Sequence, residues 1–133
     1  MSQENVEIVR SIYAAWERGD FTYVDWAHPE VEWVRADGPD PGTWTGVAGM
    51  LDAWREFLAA WEGYQIRVEE YRELDDERIL ALTQRSGRGQ ASGLRIGEGA
   101  KGATIWRLRA GKVTEQVTYW DRERALADLG LSE

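Results

Sequence analysis

Apolar residues recur at helical spacing in the first half of the chain and at every second position in the rest, so the pattern predicts helices first and a sheet afterwards. Val6, Val9, Tyr13 and Trp16, flanked by Ile12, fall on one face of a helix that Ser2 can cap, Glu4 and Glu7 favour at its positive end, and Gly19 stops. Asp20 then caps a shorter helical segment, Phe21 to about Ala27, closed by His28-Pro29 because a residue before proline avoids helical angles. Val31, Trp33 and Arg35 alternate with Glu32 and Val34 as a short strand, and Asp37 through Gly42 is loop by composition. A further helix runs from roughly Val47 to Trp61, with Met50, Leu51, Trp54, Phe57 and Leu58 on its apolar face and Asp52, Arg55 and Glu56 opposite.

From Tyr64 the period is two. Tyr64, Ile66 and Val68 alternate with polar residues until Glu69-Glu70 breaks the pattern, as a bulge or strand end does. Asp75-Asp76 is a turn, and strands follow over about 78–88, 94–96, 103–109 and 113–120, the last two joined by Ala110-Gly111. A short final helix starts after Asp121 and closes at Gly130. Helices first and hairpin-linked strands afterwards make an α+β domain with a mostly antiparallel sheet, three helices in the N-terminal half and a short one at the C-terminus. No linker or repeat divides the chain, which reads as one domain over 1–133.

Composition narrows the function classes. The 133 residues suffice for a real core, and 43% apolar with 30% charged residues is globular composition. Cysteine is absent, which removes disulfides, thiol nucleophiles and thiolate metal sites. The first ten residues are too polar for a signal peptide, and no apolar run approaches the ~20 residues of a membrane span. A soluble cytoplasmic protein is expected, with no membrane partner. The net charge of −8 argues against a nucleic-acid partner, because phosphate neutralisation needs a positive surface. Charge is uneven, however: Arg85, Arg88, Arg95, Lys101, Arg107, Arg109 and Lys112 face Glu98 alone, a net of +6 that leaves −14 for the rest. Such a stretch is either a solvated strand face or a local field for an anionic substrate or an acidic subunit partner.

Several motifs carry no chemistry. Gly97-Glu98-Gly99-Ala100-Lys101-Gly102 has G-x-G-x-x-G spacing, but it joins two strands instead of opening a helix, and so reads as a flexible hairpin loop. With one histidine and no cysteine, no zinc site is expected, and no carboxylate spacing suggests another metal. No cofactor is expected either.

Alternation assigns Thr104, Trp106 and Leu108 to one face of their strand. In the last strand it separates Thr114, Gln116, Thr118 and Trp120 from Val113, Glu115, Val117 and Tyr119, and hydrophobicity alone favours the second set as the buried one. Eight tryptophans can either fill a core or line a cavity. Trp16, Trp54 and Trp61 lie on helical stripes, and Trp33, Trp106 and Trp120 on inward strand positions.

Three stretches together carry a family likeness that covers essentially the whole chain. They are Trp16-Glu17-Arg18-Gly19-Asp20, the run His28-Pro29-Glu30-Val31-Glu32-Trp33 leading through a Pro/Gly loop to Gly46, and Trp106-Arg107-Leu108-Arg109-Ala110-Gly111-Lys112-Val113 followed by Tyr119-Trp120-Asp121-Arg122. Their order resembles the NTF2-like superfamily, in its SnoaL-like and ketosteroid-isomerase-like branch. The resemblance implies a cone, in which a strongly bent sheet and its covering helices enclose a small-molecule pocket, and a homodimer through the outer sheet face. It turns Gln116, Thr118 and Trp120 towards the cavity and places Val113, Val117 and Tyr119 at a subunit contact. Relatives include isomerases, polyketide cyclases, dehydratases, hydrolases and non-catalytic proteins, so the fold sets the place of a site and not its chemistry.

The expected ligand-binding residues are Trp16, Trp33, Trp54, Leu58, Thr104, Trp106, Gln116, Thr118 and Trp120. Candidate catalytic groups are His28, the only histidine, with Arg35 and Asp37 near the expected cavity mouth. Family sites do not transfer. The acid/base aspartate of SnoaL falls on Thr118, and the tyrosine, base and acid of the steroid isomerase fall on Ile12, Trp33 and Thr104. Two functions stay open: cofactor-independent acid/base chemistry (isomerisation, cyclisation, dehydration or hydrolysis) on an apolar or polycyclic metabolite, or non-catalytic ligand binding or scaffolding in the same fold.

Overall fold

The computed structural model describes residues 2–38, 41–89 and 95–131. Its elements run α1 (Ser2–Glu17), β1 (Ala27–Arg35), β2 (Gly42–Thr45), α2 (Gly46–Ala60), β3 (Trp61–Glu73), β4 (Arg78–Gly89), β5 (Arg95–Arg109), β6 (Lys112–Tyr119) and α3 (Arg122–Leu129). The six strands form one curled, unclosed sheet in the order β2-β1-β6-β5-β4-β3. Neighbours are antiparallel except β1 and β6, which run parallel with Trp33 beside Gln116 and Arg35 beside Thr118.

Alternation sorts the side chains to two faces. Val31, Trp33, Ile66, Ile79, Ala81, Trp106, Leu108 and Val113 join Val9, Ile12, Tyr13 and Trp16 of α1 and Met50 and Ala53 of α2 in the inner core. On the other face Leu80, Leu82, Ala103 and Ile105 are sealed by Ala125 and Leu126 of α3, with Val117 and Tyr119 packed against them. Asp121 caps α3 by accepting from the Arg124 N–H at 3.3 Å, and Gly130 ends it in the left-handed conformation. Arg122, itself buried, reaches back to the sheet and donates to Gly102 O at 3.1 Å, Thr83 O at 2.8 Å and Glu69 Oε1 at 2.6 Å.

Four sequence expectations need correction. The segment from Phe21 to Trp26 is not a helix, so the N-terminal half holds two helices and not three. The Asp20 carboxylate instead accepts from the Thr22 N–H at 3.0 Å and the Thr22 hydroxyl at 2.9 Å, while Trp26 Nε1 donates to Tyr23 O at 2.8 Å. These local bonds offer the backbone an alternative to the helix. Gly42, expected as the end of a loop, pairs with Arg35 and with Thr43-Trp44-Thr45 makes β2 beside β1.

The glycine-rich stretch 97–102 is strand, and the two short strands expected around it are one, because the long β4 supplies partners for it, with Gln84 opposite Lys101 and Arg85 opposite Ala100. Leu94, the expected start of the first, lies outside the described residues. Gly102 has a packing reason to be glycine: a Cβ there would lie 2.6 Å from Tyr119 O on β6.

Val113 is not on the outer face. A register shift between Arg107 and Leu108 sets Leu108 opposite Val113 and turns Val113 into the inner core, and the extra residue, Thr114, bonds Arg107 O at 3.3 Å. The bulge expected at Glu69-Glu70 is present as a shift between Val68 and Glu70.

Candidate functional site

The inner core leaves a hollow of about 40 Å³ between α1, α2 and the sheet. A volume near 10–15 Å³ holds one water, so the hollow has room for a few waters and not for a ring. Trp16, Trp33 and Trp54 wall it, with ring centroids 4.5 Å apart for Trp16 and Trp54 and 5.5 Å for Trp33 and Trp54. Thr104, Gln116, Thr118 and Trp120, with Tyr64 of β3, complete the sheet side, and Phe57 adds to the α2 side.

Beside it lies a cleft of about 580 Å³, between the end of α1 (Trp16 to Phe21) and the paired strands β3 and β4 (Tyr64 to Arg67, Gln84 to Ser86). Trp16, Tyr64, Ile66 and Arg85 line both spaces and so form the wall that the cleft and the hollow share.

Two buried arginines meet the hollow. Arg35 ends β1 and is held in place: its Nη2 donates to Ala53 O at 2.9 Å, and its guanidinium lies 4.6 Å from the Trp44 ring and 5.0 Å from the Phe57 ring. Arg85 shares the inward parity of Ile79, Ala81 and Thr83, and its guanidinium lies 5.0 Å from the Trp120 ring. Its Nε and Nη1 are fully buried without a hydrogen-bond partner, as is Oε1 of Gln116. No carboxylate or imidazole is among the residues lining the hollow. Burial raises the Tyr64 phenol above its ordinary pKa, opposed by the positive charge of Arg85, a hydrogen bond with Arg85 and the positive charge of Arg35. Burial raises Tyr13 as well, against the hydrogen bond from Trp106. Both phenols therefore stay protonated at neutral pH. The hollow can donate to an acceptor and accept at Gln116, but its lining has no group that takes up a proton.

Of the expected ligand residues, Trp16, Trp33, Trp54, Thr104, Gln116, Thr118 and Trp120 line the hollow. Leu58 and Trp106 line neither space. Leu58 is half-buried further along the α2 face. Trp106 is wholly buried behind the wall, its Nε1 donating to the Tyr13 hydroxyl at 3.1 Å, so it is core.

Among the three charged candidates the structure brings only Arg35 to the hollow. His28 sits at the start of β1, half-exposed, with Nδ1 accepting from the Glu30 N–H at 3.0 Å. Asp37 accepts from the N–H groups of Trp120, at 2.5 Å, and Asp121, at 3.4 Å, and lies 3.9 Å from Arg124. It fixes the end of β6 and thereby the Trp120 indole. Gly38 completes this clamp, since its φ of +92° is left-handed and a Cβ would stand 2.4 Å from Trp120 Cδ1. Arg85 and Tyr64 were missed as site residues. The signal was present: Arg85 is six positions after Ile79 in one unbroken strand, so it faces the same way.

A curled sheet with two helices inside its bend, a third outside and polar groups at the end of an aromatic hollow define an NTF2-like α+β domain. The model of the SnoaL-like domain matches residues 9–116, and the chain belongs to that family. No curated protein matches the sequence. Among solved structures, TerC co-crystallised with polyporic acid is similar at 24% identity over 95% of this chain and 97% of that one, with a TM-score of 0.76. An NTF2-like protein of unknown function from Burkholderia pseudomallei is similar at 22% identity over 93% and 95%, TM-score 0.78. A protein of ketosteroid-isomerase-like fold from Catenulispora acidiphila, in complex with trimethylamine, is similar at 18% identity over 95% and 94%, TM-score 0.71.

Proposed function

We propose that the protein binds a flat, largely apolar small molecule in the cleft between the end of α1 and the β3–β4 pair, with one end of the ligand at the hollow. One observation carries this: a cleft of about 580 Å³, within the range of small-molecule sites, shares a wall with a hollow in which Arg85 Nε and Nη1, Thr104 Oγ1 and Gln116 Oε1 lack partners. Trp16, Phe21 and Ile66 give the cleft its apolar wall. TerC and the Catenulispora protein, which share the fold, were each crystallised with a small molecule, and this supports the reading. A metabolite panel screened by tryptophan fluorescence tests it. Flat aromatic compounds should perturb the emission, and Phe21→Ala, which removes part of the apolar wall of the cleft, should weaken the response about tenfold. Hits that bind the Phe21→Ala protein unchanged would remove the cleft as their site.

Binding is favoured over acid/base catalysis because of the proposed catalytic residues only Arg35 meets the hollow and no base lines it. A reaction there would use Arg35, Arg85 and Tyr64 as donors and take its base from Glu17, at the exposed rim of the cleft. Turnover of a bound compound that is lost in Glu17→Gln would establish that second reading.

A further inference from the structure

The polar end of the proposed ligand has a definite chemistry. Arg85 is about as buried as any charged side chain among the described residues, at 6% exposure, yet its Nε and Nη1 have no partner and the residues around the hollow include no carboxylate. A buried charge without a counter-charge is strongly disfavoured. The Trp120 face offsets a part of that. Waters in a hollow of about 40 Å³ can accept from the N–H groups, but they bring no negative charge. A ligand anion brings both.

Position adds a second constraint. Arg85 lines the cleft and the hollow alike, so an anion on its guanidinium leaves the body of the molecule in the larger space against Trp16, Phe21 and Ile66. Arg18 and Arg67 in the cleft lining outnumber Glu17, which favours entry of an anion. Resting on the binding reading above, we propose that the pocket takes an aromatic carboxylate, with Arg85 as the anchor of the carboxylate group and Arg35 as a second cation at the end of the hollow.

The test is calorimetric titration with 2-naphthoate and with 2-naphthamide, a neutral molecule of nearly the same shape. The wild-type protein should bind the acid at least about tenfold more tightly than the amide, the scale of one charged hydrogen bond in a buried site. Arg85→Met should erase that preference while leaving amide binding in place, and Arg85→Lys, which keeps the charge, should retain a part of it. Arg55→Ala, a cation removed from the exposed face of α2, should keep the full preference. Near-ultraviolet circular dichroism shows whether each variant is folded, and Arg85→Lys carries the test if Arg85→Met is not. Equal affinity for acid and amide, or a preference that survives Arg85→Met, overturns the anion assignment and leaves the binding pocket standing. Binding of neither compound overturns both.

Discussion

Arg85 and Arg122 are buried to almost the same degree, 6% and 7% exposed, on opposite faces of one sheet. Arg122 spends its donors on two backbone carbonyls and the Glu69 carboxylate, so it ties α3, β4, β5 and β3 together. Arg85 faces a space instead, with Nε and Nη1 unbonded and the Trp120 indole and the Tyr64 phenol as its neighbours. The same side chain therefore serves two ends. Where its bonding capacity is filled by the protein it holds the fold, and where it is left unfilled it is poised for something from outside.

The contrast is sharpest in stability. Arg122→Met should cost about 3 kcal/mol in urea unfolding, because the Gly102 and Thr83 carbonyls lose their donor and Glu69 its counter-charge. Gly38→Ala should cost about 2 kcal/mol and shift the tryptophan emission, because the left-handed backbone is strained and the new Cβ displaces Trp120. Arg85→Met should act in the opposite sense to Arg122→Met and raise stability by about 1 kcal/mol, since an unpaired buried cation is removed. A loss similar to that of Arg122→Met would show that Arg85 also is structural. Asp121→Ala should cost about 1 kcal/mol through the lost cap of α3, without affecting ligand binding at the far face.

The smallest effect is in pH. Hydrogen bonding from Arg122 holds the Glu69 carboxyl below its ordinary pKa. Its contribution is therefore complete above the unfolded value near ~4.3 and is lost as pH falls through the lower folded value. Glu69→Gln should flatten the acid limb of a stability-against-pH curve slightly. Asp20 and Asp75, also lowered by local hydrogen bonds, keep most of its slope.

Much of this architecture could be read from the chain. The amphipathic stripes of α1 and α2, the bulge at Glu69-Glu70, the Asp121 cap and the Gly130 stop depend on neighbours close in sequence, and all are present. What could not be read depends on distant partners. The stretch 97–102 is strand because β4 lies beside it, and Val113 turns inward because β5 and β6 pair with a one-residue slip. The aromatic wall was legible as residues pointing inward, but not how closely the rings would fill the space. Trp106 shows this, wholly buried and bonded to Tyr13 behind the wall. Asp37 looked like chemistry because it is a carboxylate near the mouth. Its oxygens are engaged by the N–H groups of Trp120 and Asp121, which no local pattern announces.

The parallel pairing of β1 with β6 also sets an order of assembly. Residue 27 lies beside residue 113, so during synthesis the β1–β2 hairpin leaves the ribosome with its β1 edge bare and waits for residues 112–119. Until β6 arrives, Trp26 and Trp33 lack the sheet that buries them. Slow, late closure of that seam is expected, and a nascent chain halted before β6 should be the species most prone to aggregate.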